Sequence, residues 1–250
     1  MKEIGGYIEL DTYTGAMLHE KAIALNCGRG ALEYLCEAKM IRRLYLPYFL
    51  CDSVPNLCKK IDVEYEFYHI NRAFEPVFTK KIGANEWLYI VNFYGQLSNE
   101  YLQTWKQRYD HVIVDNAQSY FQMPVDGLDT LYTCRKYFGV ADGAFLYSDM
   151  RLGKEIPQDE SFERMHFLLG RYERGANEFY GEYVANNKLF ATESAKRMSR
   201  LTENLLHGID YDAVAKRRQK NFEFLDEEFR DINGLNLKSV YGAFMYPLLV

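Results

Sequence analysis

Residues 112–147 constrain the fold more than any other stretch. They read VIVDNAQSYFQMPVDGLDTLYTCRKYFGVADGAFLY. An apolar run of strand type, Val112 to Val114, stops abruptly on Asp115, and Gln118 follows. A second run, Leu128 to Thr133, leads to Lys136, and Gly139 to Tyr147 reads as a returning strand punctuated by glycine. Short apolar runs bounded by turn residues suit strands buried on both faces of a sheet. In an open α/β sheet, ligands sit outside the carboxyl ends of parallel strands. An acid closing one strand and a lysine just past the next are therefore expected to share one crevice.

The rest of the chain alternates in the same way. Arg43 to Phe49 reads as a strand that breaks around Pro47, Val63 to Ile70 as an alternating strand, and Trp87 to Phe93 as a buried one. Ser98 is placed to cap a helix carrying Leu102, Trp105 and Tyr109 on one side. Strands alternating with helices predict βαβ units and a largely parallel sheet. Ser148 to Pro157 is a polar connector, and Ser161 to Phe229 reads as several helices. Gly234 then introduces LNLKSVYGAFMYPLLV, expected to be strand-like and without an obvious partner.

Composition narrows the function classes. A net charge of −5 leaves no basic footprint for nucleic acid. No apolar run is long enough to span a membrane, and the start, MKEIGGYIELDTY, lacks the pattern of a secretory leader. Five cysteines, with no CxxC pair, fit neither a disulfide framework nor a zinc site. These features predict a cytoplasmic protein with reduced thiols and no bound metal. The 21 tyrosines and 16 phenylalanines suit clefts and subunit interfaces as well as a core.

Near the N-terminus, LNCGRGALEYLCEA places Gly28 and Gly30 around Arg29, directly before a helical pattern of Ala31, Leu32, Leu35 and Cys36. A glycine turn opening a helix aims backbone N–H groups at an anion, although an ordinary loop entering a helix looks the same. The motif is not GxGxxG, so a dinucleotide site is unsupported.

Taken together, Cys27-Gly28-Arg29-Gly30-Ala31-Leu32, Leu46-Pro47-Tyr48, Phe93-Tyr94-Gly95-Gln96, Asp115-Asn116-Ala117-Gln118 and Thr133-Cys134-Arg135-Lys136 resemble, in order and spacing, the DegT/StrS-type sugar aminotransferases. That resemblance implies the α/β fold of type I pyridoxal phosphate enzymes. The expected architecture is a three-layer large domain with a mostly parallel central sheet, spanning residues 1–205. Residues 206–250 would then supply the helix and first strand of an incomplete, smaller C-terminal α/β domain, with Tyr246 to Val250 as that strand.

By the same resemblance, Lys136 would carry pyridoxal 5'-phosphate and later shuttle a proton. A lysine amine is ordinarily protonated and weakly nucleophilic at neutral pH, so such a lysine needs activation by its surroundings. Asp115 would hold the ring nitrogen protonated, and Gln118 would reach the ring's 3-oxygen. Thr133 and the backbone N–H groups of Arg29 and Gly30 would hold the phosphate. The family usually places an aromatic over the ring where Cys51 stands, a role for which Tyr48 or Phe49 are the alternatives. Asn177, in Gly175-Ala176-Asn177, would reach the phosphate of a neighbouring subunit, making the working unit a homodimer. Phe179 stands where the family commonly has an arginine.

The implied reaction transfers an amino group, with glutamate as donor, to a keto-sugar that is nucleotide-linked, in amino-sugar or surface polysaccharide synthesis. Related dehydratases replace the lysine, so Lys136 favours transamination. Two other readings stay open at this level: a catalytically idle cofactor-binding homologue with a regulatory or assembly role, and an α/β domain for some other phosphate ligand.

Overall fold

The computed structural model describes residues 5–250; Met1–Ile4, the first residues of the stretch without a leader pattern, lie outside the described residues. Strand alternation sorts the central side chains onto two faces, and each face recruits its own helices. The strands are β1 (Ile23–Leu25), β2 (Arg43–Pro47), β3 (Glu64–Ile70), β4 (Pro76–Val77), β5 (Glu86–Val91), β6 (Val112–Asp115), β7 (Asp129–Thr133) and β8 (Ala144–Tyr147). They form one sheet in the order β1-β8-β7-β6-β5-β2-β3-β4. The core pairs β3/β2, β2/β5, β5/β6 and β6/β7 are parallel, whereas the pairs made by β1, β4 and β8 are antiparallel. The expected mostly parallel sheet is therefore present, with antiparallel edges.

On one face, Tyr89 and Val91 of β5, Ile113 of β6 and Leu131 of β7 pack against two helices, α1 (Gly28–Ala38) and α2 (Ser53–Lys60). On the other, Leu88, Ile90, Val112 and Val114 meet Leu102 and Trp105 of α3 (Asn99–Arg108). Each such fully buried aliphatic side chain stabilises by roughly 1.5–3 kcal/mol relative to exposure. Ser98 caps α3 as expected, its Oγ accepting the Tyr101 N–H at 3.3 Å. Helices α4 (His166–Glu173) and α5 (Tyr180–Thr192) follow the connector, then α6 (Arg200–His207) and α7 (Tyr211–Phe229). α5 lies beside α1 and α2, and residues of α6 and α7 cover Tyr132 and Phe145. These are the three layers.

A buried acid fixes α6 to the turn that follows Lys136. Asp142 accepts the Ser199 N–H at 2.8 Å, the Ser199 hydroxyl at 2.7 Å and the Thr202 hydroxyl. A carboxylate at a helix start is favoured by the free N–H groups there.

Two expectations fail. Regular strand begins only at Ala144, because Gly143 takes φ +114° and ends the Gly139–Gly143 turn. Residues 246–250 form no strand either. Pro47 ends a strand by lacking an N–H, and Pro247 has the same defect. The segment instead folds back on Asn233, whose Oδ1 accepts the Leu249 N–H at 3.1 Å, while the Gly234 N–H donates to Leu249 O at 2.7 Å. Upstream of it, the Lys238 N–H donates to Gln96 Oε1, in the loop after β5, at 2.8 Å. Strand β1 was not expected, since three residues carry too little pattern.

His19 is fully buried, its ring stacked 4.1 Å from that of Tyr132 and its Nε2–H donating to Tyr120 O at 2.8 Å. Burial holds its pKa down at about 4, against 6.5 ordinarily. The unfolded chain takes up this proton as pH falls below 6.5 and the folded chain refuses it until about 4. Stability should therefore be full above pH 6.5 and decline from there to pH 4, by up to roughly 3 kcal/mol. Urea unfolding across that range should show the decline, and His19→Gln should flatten this part of the profile. Equal slopes in both proteins would contradict it.

Candidate active site

The face that carries α1 also carries the site. Parity along each strand puts Asp115 on the side of Ile113, and Thr133 on the side of Leu131, facing α1 rather than α3. At the carboxyl ends of β5, β6 and β7, the sheet and the start of α1 bound a cleft of about 850 Å³. Arg29, Asp115, Gln118, Thr133 and Lys136 all line it, together with Phe49, Cys51 and, from α5, Asn187. Five of the seven residues expected at the site are thus brought together.

The other two are placed differently. Gly30 sits one residue deeper in the first turn of α1 and does not line the cleft. Its N–H donates to the Cys27 Sγ at 3.2 Å, and an added Cβ would come 2.3 Å from Asn26 Oδ1, so any side chain there would have to displace Asn26. Asn177 is exposed and outside its own chain's cleft. Phe179 is buried, its ring lying where a Cβ on Gly170 would fall.

Asp115 is the most constrained group. It is 8 % exposed, and its Oδ2 accepts the Tyr89 hydroxyl at 2.6 Å while its Oδ1 accepts the Ala117 N–H at 2.8 Å. Burial, followed by the Asp115 charge, raises the Tyr89 phenol well above its ordinary pKa, so Tyr89 stays a donor. Among the described residues no cation pairs with Asp115. A carboxylate buried without a cation is costly unless something else supplies the charge.

Behind it, an amide network holds the loops that follow β5 and β6. Asn92 Nδ2 donates to Asn116 Oδ1 at 3.1 Å and to Gln122 Oε1 at 2.8 Å, and its Oδ1 accepts the Leu97 N–H at 2.9 Å. Gln118 Oε1 accepts the N–H of Tyr94 at 3.1 Å. Tyr94 holds a left-handed backbone at φ 56°, a conformation that costs a non-glycine residue about 1 kcal/mol or more and needs such a brace.

Lys136 is exposed at the cleft wall, its Nζ 5.3 Å from the centroid of the Phe244 ring. Arg218 of α7 bridges the two segments, donating to Tyr137 O and to Phe244 O, each at 3.3 Å. Of the two aromatic candidates beside Cys51, Phe49 lines the cleft, whereas Tyr48 turns away to stack on His69 at 5.6 Å.

No family model matches the sequence, and no curated protein matches it. Solved structures do. The sugar aminotransferase CalS13 from Micromonospora echinospora superposes with a TM-score of 0.53 at 14% identity, over 91% of this chain and 68% of that one. The chain shares the fold of that structure. The same fold relates it to the GDP-4-keto-6-deoxy-D-mannose-3-dehydratase of E coli with bound hydrated PLP, at TM-score 0.56 and 12% identity, over 89% of this chain and 65% of that one. For ntda from Bacillus subtilis with bound cofactor PMP the TM-score is 0.51 at 12% identity, over 95% and 59%. The chain thus spans about two thirds of the length of these structures.

Sequence reasoning did not find Tyr89 or Asn187. Tyr89 was detectable in principle: its β6 partner is Ile113, which puts Asp115 diagonally opposite on the same face. Removing its hydroxyl should cost about 1.5–3 kcal/mol, the range for a hydrogen bond to a charged group. Thermal unfolding of Tyr89→Phe tests this, and a melting profile identical to wild type would show that the bond contributes nothing.

Proposed function

We propose that this chain is a pyridoxal phosphate-dependent aminotransferase. One observation carries the reading: a buried carboxylate, Asp115, faces a cleft shared with Lys136 and has no cationic partner among the described residues. A protonated pyridine nitrogen is a group of the required charge and shape. The bound cofactors named for two similar structures, PLP and PMP, support the same assignment.

The cofactor, when bound, supplies an electron sink for charge developing at the substrate's carbon. The chain's own residues then have separate tasks. Asp115, oriented by Tyr89 and by the Ala117 N–H, keeps the ring nitrogen protonated. Gln118, whose Oε1 accepts the Tyr94 N–H, would contact the ring's oxygen with its amide N–H groups. Thr133 and the first turn of α1 take the phosphate. Lys136 Nζ would take the proton from the donor's α-carbon and later return it, and Phe49, which lines the cleft with Cys51, would be the aromatic beside the ring.

The substrate reading follows from the sugar aminotransferase and keto-sugar names of the similar structures. We infer a keto-sugar acceptor, nucleotide-linked, with glutamate as donor, in amino-sugar or surface polysaccharide synthesis. Five unpaired cysteines support a reducing, cytoplasmic setting. Asn177, exposed and away from its own cleft, fits a contribution to a second copy's site in a homodimer. We further assign residues 1–205 to the cofactor-binding unit and residues 206–250 to the start of a smaller domain.

Lys136→Ala should remain folded and lose amino transfer from L-glutamate to a nucleotide-linked keto-sugar by about 10²–10⁴-fold or more, the usual worth of a positioned acid or base. Asp115→Asn should fold and still fail at turnover, because an amide does not hold the pyridinium charge. Near-normal turnover in either variant removes that residue from the mechanism.

A further inference from the structure

α5 brings two like charges together at the cleft. Arg29 donates from Nη2 to Asn187 O at 2.8 Å, and Arg135 donates from its Nη2 to Oδ1 of the same asparagine. Both arginines line the cleft beside Thr133 and the first-turn residue Gly28. Among the described residues, neither forms an ion pair with an acid.

We propose that Arg29 and Arg135, both braced by Asn187, form a clamp within one chain for a phosphomonoester dianion. The proposal rests on the cofactor reading above, which places a phosphate at this end of the cleft. It adds where the countercharge comes from.

Arg135 is held in place before any ligand arrives. Its guanidinium lies 4.9 Å from the centroid of Phe190, a fully buried ring whose centroid is 5.2 Å from the guanidinium of Arg164. A cation over an aromatic ring is attracted to its face, which helps to hold the group here. Each guanidinium spends one observed hydrogen bond on Asn187 and keeps most of its donors. The arrangement is unfavourable by itself: burial first, then the charges of Arg29 and Arg164, press the pKa of Arg135 downward. An anion between Arg29 and Arg135 relieves that repulsion.

The charge count selects the anion. A carboxylate carries one charge and is satisfied by a single guanidinium fork. A phosphomonoester carries about −1.5 to −2 at neutral pH and three acceptor oxygens, which matches two guanidinium groups, the Thr133 hydroxyl and the N–H groups at the start of α1.

The test compares pyridoxal phosphate, pyridoxal without its phosphate, and inorganic phosphate as ligands of the purified chain, by calorimetry and intrinsic fluorescence. Wild type should bind inorganic phosphate and should prefer pyridoxal phosphate to pyridoxal. Arg29→Gln and Arg135→Gln should each weaken pyridoxal phosphate by about tenfold or more, abolish phosphate binding and leave pyridoxal unchanged. Arg29 lies at the cleft wall, so its variant stays informative if Arg135→Gln fails to fold. Unchanged affinity for pyridoxal phosphate in a folded variant overturns the clamp and leaves the cofactor reading intact. Inorganic phosphate bound through both arginines, with pyridoxal phosphate bound no better, keeps the clamp and overturns the cofactor reading. No binding of either by wild type overturns both.

Discussion

A carboxylate held out of water at the end of a central strand is the constraint around which this site is arranged. Asp115 must lie there because β6 is a core strand with parallel neighbours on both sides, and its last residue opens onto the cleft. Two hydrogen bonds, from Tyr89 and from the Ala117 backbone, offset part of the desolvation cost. Neither neutralises the charge. The structure therefore keeps an acid whose charge is best balanced by a cationic ligand, and the rest of the cleft is compatible with a ligand of mixed sign. Under the proposed reading, a ring nitrogen would meet the acid and a phosphate would meet the two arginines.

The scaffold supplies rigidity at the same places. The amide network of Asn92, Asn116 and Gln122 ties the turn after β5 to the turn after β6, so Gln118 and Tyr94 are fixed relative to Asp115. On the far side of Lys136, Asp142 anchors the following turn to α6, and Arg218 joins residue 137 to Phe244. Lys136 thus projects from a short segment secured at both ends, while its own side chain is exposed. That combination suits a group that must visit more than one atom in a reaction cycle.

Much of this was legible because it is local. An apolar run ending in Asp115, and another ending three residues before Lys136, place both groups at strand ends once the strands are parallel. The glycine turn before α1 likewise announced Arg29 at a helix start. What depended on tertiary register was lost: Tyr89 meets Asp115 only through the pairing of β5 with β6, and Asn187 arrives from a helix more than fifty residues downstream. Apolar content misled at the C-terminus, where Tyr246 to Val250 looked like a strand. Side-chain bonds from Asn233 win there over pairing with a sheet, and Pro247 cannot donate to a neighbour. Near Cys51, the turn that follows β2 decided between two aromatics that composition left equal, sending Phe49 to the cleft and Tyr48 to His69.

The most direct measurement is the visible absorption of the purified chain mixed with pyridoxal phosphate, followed by borohydride reduction and peptide mass mapping. The site described above requires a yellow band that reduction bleaches, leaving the cofactor's mass on the peptide that contains Lys136. A colourless mixture, or an adduct on another lysine with none on Lys136, would contradict the central claim that Asp115 and Lys136 form a pyridoxal phosphate site.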